Sequence, residues 1–107
     1  MATRALLNVP ANARIGEVIE VRATVQHAME TGFRAGSDGQ VLARNLVRRV
    51  EARLDGELVF AADLHPAIAA NPYLAFALRV TGPGVLTVTW QGDQDFSHSE
   101  SARINAA

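Results

Sequence analysis

The chain contains no cysteine and no lysine. Without cysteine there is no disulfide scaffold, no zinc–thiolate site and no thiol chemistry on this polypeptide. Without lysine there is no Schiff base and no P-loop lysine. All ten basic residues are arginine, which together with the abundant alanine reads as coding bias of a GC-rich genome. Charge is scarce and balanced: 20% of residues are charged and the net charge is −1, whereas a nucleic-acid binder would show a clear basic excess. Long hydrophobic runs are missing too, because Arg, Asp or Pro interrupts each apolar stretch, so nothing has the length to span a membrane. The first ten residues hold one arginine and then an apolar run too short for a signal sequence. Taken alone, the chain is expected in the cytoplasm, unless it is exported bound to a partner.

What the chain does have is apolar residues, 49% of 107. That is enough for one ordered domain over residues 1–107 with a single core of moderate size, and it excludes disorder. The dominant pattern is strict alternation bounded by turn residues. Ile19, Val21, Ala23 and Val25 alternate with Glu20, Arg22 and Thr24. Leu46, Val50, Ala52 and Leu54 alternate with Arg49, Glu51 and Arg53, and Asp55-Gly56 follows as a hairpin turn. The return strand carries Leu58, Phe60, Ala62 and Leu64. Leu74, Phe76, Leu78 and Val80 make another strand, and Leu86, Val88 and Trp90 the next. Residues 97–105 form the last strand, with Ala102 and Ile104 inward, and residues 5–9 form the first. About seven short antiparallel strands in one small chain predict an all-β, immunoglobulin-like β-sandwich. Residues 65–71 are expected to make a helical turn, ended by Asn71-Pro72.

Few residues carry chemistry in a recognisable pattern. His27, His65 and His98 lack H-x-H or H-E-x-x-H spacing, so hydrogen-bonding histidines are expected, with His98 half-buried or at a bulge. Asp93 and Asp95 lie in a turn-rich segment, where aspartate caps backbone or is solvated rather than working as an acid/base pair. Ser97, Ser99 and Ser101 alternate as a wet strand face, and no G-x-S-x-G elbow occurs. Residues 27–43 form a long loop with Gly32, Gly36 and Gly39, which match no phosphate-binding pattern. More informative are apolar residues on nominally wet strand faces: Val47, Val59, Ala61, Tyr73 and Ala75, with Ala77. They are the candidate interface face. On pattern alone, a stand-alone immunoglobulin-like module binding carbohydrate or protein remains the alternative to an obligate subunit, and an isologous homodimer is expected if the chain is isolated.

The stretch His27-Ala28-Met29-Glu30-Thr31-Gly32-Phe33-Arg34 closely resembles the H-P-M-E-T-G-x-R segment of the SoxZ family. The resemblance continues along the chain through Gly16-Glu17, then Asp38, Gly39, Arg44 and Asn45, then Gly56-Glu57, Phe60, Pro66 and Ile68. It ends with Ala70-Asn71-Pro72-Tyr73, Phe76, Trp90 and Asp93. Ala28 and Ala43 stand where that family usually has proline, and Gln94 where it usually has glycine; the lost prolines loosen the loop. The resemblance implies a non-catalytic subunit of the SoxYZ heterodimer of bacterial thiosulfate oxidation, with no cofactor and no metal. Its partner SoxY carries sulfur species on the cysteine of a flexible arm, and this subunit binds SoxY and helps present the arm to the Sox enzymes, which it contacts transiently. It further implies a periplasmic protein exported with SoxY. The loop residues His27, Met29, Glu30, Thr31, Gly32, Phe33 and Arg34 are then the candidate partner-binding loop, with Met29 and Phe33 as adaptable apolar contacts and Arg34 as an anion partner.

Overall fold

Strands form where the sequence alternates, because each alternating run buries one face and wets the other. The computed structural model describes residues 4–27, 29, 31–33, 35–41, 43–64 and 71–107. It contains eight strands: β1 (Ala5–Asn8), β2 (Asn12–Ala13), β3 (Val18–Val25), β4 (Val47–Leu54), β5 (Glu57–Asp63), β6 (Tyr73–Arg79), β7 (Gly84–Gly92) and β8 (Ser97–Ala106). All the expected strands are present, and β2 is an addition too short to show any periodicity. Of the expected helical turn at 65–71, all but Asn71 lies outside the described residues, and no helix occurs among those described.

The strands build two layers, a three-stranded sheet in the order β1-β3-β6 and a five-stranded sheet in the order β2-β8-β7-β4-β5. Pairing is antiparallel except for β2, which runs parallel to the end of β8 through Asn12↔Asn105. The N-terminal segment thus contributes to both sheets, an immunoglobulin-like arrangement. The core lies between the layers. Ile19, Val21, Ala23 and Val25 from β3 and Phe76 and Leu78 from β6 meet Val50 and Ala52 from β4, Leu86, Val88 and Trp90 from β7, and Ile104 from β8.

Two β-bulges reverse the expected side-chain direction, since one extra residue flips every side chain beyond it. The first corrects the placement of Val47 on the interface face: Val47 is only 1% exposed and belongs to the core. Opposite β7, the register slips between Val47 and Arg49, so Arg48 is the extra residue and Leu46 and Val47 both turn inward. Gly92 permits this, because a Cβ there would overlap the Leu46 carbonyl oxygen and lie 2.9 Å from the Val47 Cα. The second bulge inserts Val59 into β5, where Ala52 faces Phe60 but Arg53 faces Leu58. Leu58, expected inside, is 45% exposed, whereas Val59, expected outside, packs partly against the core.

The two outer faces differ. On the five-stranded sheet, Arg49 bonds to Asp63 and Glu51, and Thr87–Ser101 and Thr89–Ser99 hydroxyls pair across β7 and β8 at 2.9 and 2.8 Å. The outer face of the three-stranded sheet instead carries Leu6, Val18, Tyr73, Ala75 and Ala77 around one Glu20–Arg22 ion pair.

These placements set the cost of substitutions. Leu86→Ala should lose about 2–5 kcal/mol of unfolding free energy, while Leu58→Ala, despite the same chemistry, should lose less than about 1 kcal/mol. Gly92→Ala should cost about 2 kcal/mol or more by forcing the bulge open. Urea unfolding of the three variants checks this ranking.

Candidate functional site

The long loop leaves β3 through a clamped base. The His27 backbone N–H donates to Asn71 Oδ1 at 2.8 Å, and the Asn71 N–H donates back to the His27 carbonyl at 2.6 Å. Asn71 sits at φ 54°, a left-handed conformation that asparagine adopts more readily than most residues. The His27 ring is buried, and its Nδ1 accepts the Met29 N–H at 3.0 Å. A neutral ring accepting at Nδ1 carries its hydrogen on Nε2. That nitrogen has no hydrogen-bond partner among the described residues, and the ring meets Phe96 in a T-shaped contact at 4.8 Å.

Met29 corrects an expectation. It is buried, not an adaptable surface contact, and its Sδ lies 3.2 Å from the Val47 backbone N–H, which it accepts at the β4 bulge. Phe33 is the opposite, 92% exposed near the loop tip. Thr31 and Gly32 are half-buried. Gly32 adopts φ 92° with space for a Cβ only 3.3 Å from the Arg44 Cβ, so any other residue is both strained and crowded there. Ala28, Glu30 and Arg34 lie outside the described residues. Beyond them, Ala35 bridges Val41, and Asp38 Oδ1 accepts the Gln40 N–H at 3.0 Å, making a small turn within the loop.

Asp93 holds the loop's far end. Its carboxylate accepts the Leu46 N–H at 3.1 Å and Arg48 Nε at 2.7 Å, with Arg44 Nε 3.2 Å away. Its own N–H returns to the Leu46 carbonyl at 2.9 Å. The Arg48 hydrogen bond holds the carboxyl below the usual aspartate range, against the cost of its burial, and the Leu46 N–H and the Arg44 charge act in the same direction. Asp93 is thus a cap, as the turn context implied, and its carboxylate is committed to β4. Gln94 and Asp95 follow at φ 56° and 58°. This explains why glycine suits the Gln94 position; here the Gln94 amide compensates by donating to the Arg44 carbonyl at 3.0 Å.

The remaining candidates are dispersed. His98 is half-buried on the inner side of β8, with Nε2 3.5 Å from Glu100 Oε1 and its ring 6.3 Å from Trp90. His65 lies outside the described residues. Among the described residues, no group of three or more His, Cys, Asp or Glu could hold a metal ion. An open cleft of about 680 Å³ runs beside β1, lined by Arg4, Leu6, Thr24, Gln26, Asn71 and Glu100 among others.

The candidate interface residues do not share one face. Val47 is in the core, and Val59 and Ala61 are half-buried on β5. Tyr73 and Ala75 remain together, exposed on β6 with Ala77. They are joined by two residues that sequence reasoning missed, Leu6 at 75% and Val18 at 53% exposure. Their wet-side parity in β1 and β3 was the available signal, and the register confirms the row Leu6–Thr24–Tyr73.

The family model described as "Sulphur oxidation protein SoxZ" matches residues 7–103. Comparison with curated protein sequences gave no match. Among solved structures, a superoxide reductase (neelaredoxin) from Ignicoccus hospitalis superposes with a TM-score of 0.71 at 15% identity, over 96% of this chain and 80% of that one. The sulfur carrier protein SoxY from Chlorobium limicola f thiosulfatophilum superposes with a TM-score of 0.67 at 12% identity, over 96% and 78%. At these identities the structural likeness concerns the fold alone.

Two substitutions test the loop's anchors. Because the folded-state pKa of Asp93 is depressed, its stabilisation is fully present above the unfolded value of 3.8 and is lost as pH falls through the lower folded value. Asp93→Asn should therefore lower the urea midpoint at pH 7 and lose that deficit as the pH is taken below 3.8. Met29→Leu keeps the volume but leaves the Val47 N–H unpaired, and should cost about 1 kcal/mol or more; Phe33→Ala should change stability by less than about 0.5 kcal/mol in the same assay.

Proposed function

The chain belongs to the SoxZ family of sulfur-oxidation proteins, and we propose that it is the non-catalytic subunit of a SoxYZ-type carrier heterodimer. The observation that carries this reading is the family match over residues 7–103 in a chain that has no cysteine of its own. A covalent sulfur carrier needs a nucleophilic sulfur, so in such a pair the thiol is SoxY's and the surface is this chain's. SoxY binds here, its arm cysteine holds the sulfur intermediates, and the Sox enzymes meet the assembled pair in the periplasm, to which the two chains are exported together.

Two features support a binding role. The outer face of the three-stranded sheet exposes Leu6, Val18, Tyr73 and Ala75, while the other outer face carries ion pairs and hydroxyl ladders, with Leu58 and Val85 less exposed among them. Apolar area concentrated on one face is what an obligate partner covers. The long loop adds a second element: a base clamped by Asn71 and Met29, and an exposed aromatic, Phe33, near its tip. A rigid base with a projecting aromatic suits a contact that must dock successive enzymes at little ordering cost.

Co-expression with a SoxY-type chain should yield a one-to-one complex that survives gel filtration. Leu6→Asp together with Tyr73→Asp should weaken it at least tenfold without unfolding the chain, since both side chains are exposed in the monomer. After turnover with thiosulfate and the pathway enzymes, intact-mass spectrometry should find added sulfur on the SoxY-type chain and none here. Sulfur mass on this chain, or a stable monomer with no affinity for SoxY, would overturn the reading in favour of a stand-alone binding module.

A further inference from the structure

The sandwich is unequal, five strands against three. Contact between β1 and β8 aligns the two layers along one side. Counting inward from there, the strand orders set β3 over β7 and β6 over β4, and among the described residues no further strand is left to lie over β5. Burial records the deficit. The inward residues of β4 and β7, Val50, Ala52, Leu86, Val88 and Trp90, are at most 1% exposed, whereas Phe60 and Ala62 on β5 are only half-buried. Phe60 finds its cover in Phe76 of β6, on which its ring stacks at 4.3 Å.

The strand that borders this gap is β6. It pairs with β3 on one side and, among the described residues, with nothing on the other. Exposed edges are normally blunted by charge, proline, a bulge or shortness. The edge strand β5 has a bulge at Val59 and charges at Glu57 and Asp63, and β1 is four residues long with Pro10 after it. Strand β6 has such features only at its ends, Pro72 before it and Arg79 as its last residue; between them Tyr-Leu-Ala-Phe-Ala-Leu carries no charge and keeps an unbroken register against β3. Strand β5 ends beside Arg49 and β6 begins beside Thr24, both at the end of the sandwich where the long loop leaves.

We propose that the β6 edge and the uncovered inner side of β5 together receive one extended strand of the partner chain, completing the smaller sheet to four strands. The occupant is a single strand and not a second copy of this chain. The near-palindromic β6 sequence suits self-pairing, but a two-fold axis at that edge would place β4 of the copy where β5 already lies. The strand to be received is about seven residues long and free of proline, with small apolar residues at alternate positions to cover Phe60 and Ala62. Naming its source as the SoxY-type partner rests on the function proposed above.

Amide hydrogen exchange, read residue by residue on the co-purified complex and on the chain alone, tests this. On complex formation, alternate amides within residues 73–79 should slow at least tenfold, the others being already held by β3. Ala62→Asp should weaken the complex at least tenfold, while Ser99→Asp on the polar outer face should leave it unchanged. A complex that forms with the exchange of residues 73–79 unaltered overturns the strand-receiving edge and leaves the functional reading intact. Absence of any complex overturns both. Protection of residues 73–79 that grows with the concentration of the chain alone would make a second copy the occupant and overturn the proposal.

Discussion

The carboxylate of Asp93 ties together the end of the molecule that carries the long loop. Its contacts with the Leu46 N–H, Arg48 and Arg44 fix the start of β4 against the turn that follows β7. Those bonds need the β4 bulge, because only with Arg48 as the extra residue can its guanidinium reach Asp93 while Leu46 and Val47 face the core. The bulge in turn needs Gly92, where the Leu46 carbonyl passes too close for any side chain. Once the bulge is set, the Val47 N–H points at Met29, and the Met29 sulfur anchors the loop from within. Carboxylate, bulge, glycine and thioether form one chain of dependencies spanning residues far apart in sequence.

From that joint the division of labour in the fold follows. The loop base is closed by the reciprocal His27–Asn71 bonds and by Met29, and Phe33 stands exposed beyond it. The sheets are equally divided. The larger one ends its outward side in arginine–carboxylate pairs and paired hydroxyls, a surface satisfied by its own groups. The smaller one leaves apolar side chains outward and, among the described residues, no strand paired to the free side of β6. Under the function proposed above, a chain without cysteine would offer this surface in support of chemistry carried by another polypeptide.

Much of this was legible beforehand. Alternation located the seven long and short strands that pack the core, since a half-buried strand must alternate. The Asp55-Gly56 hairpin, the half-buried His98 and the wet serine face of β8 were read correctly from local pattern. Val47, Leu58 and Val59 were misread for one reason: each sits at or beyond a bulge, and an extra residue leaves no mark in the alternation before it reverses it. Met29 was misread because its burial depends on an unpaired N–H at such a bulge, eighteen positions away in sequence.

The amino-acid sequence by itself determined the fold class, the family and the absence of a thiol, because these depend on residue identity, order and period. Which apolar residues are surface and which are core was decided only by the tertiary structure. Sheet order, register slips and the unequal number of strands come from pairing between distant segments. Those same pairings leave Leu6 and Tyr73 together in solvent, bury Val47, and leave one edge of β6 unpaired among the described residues.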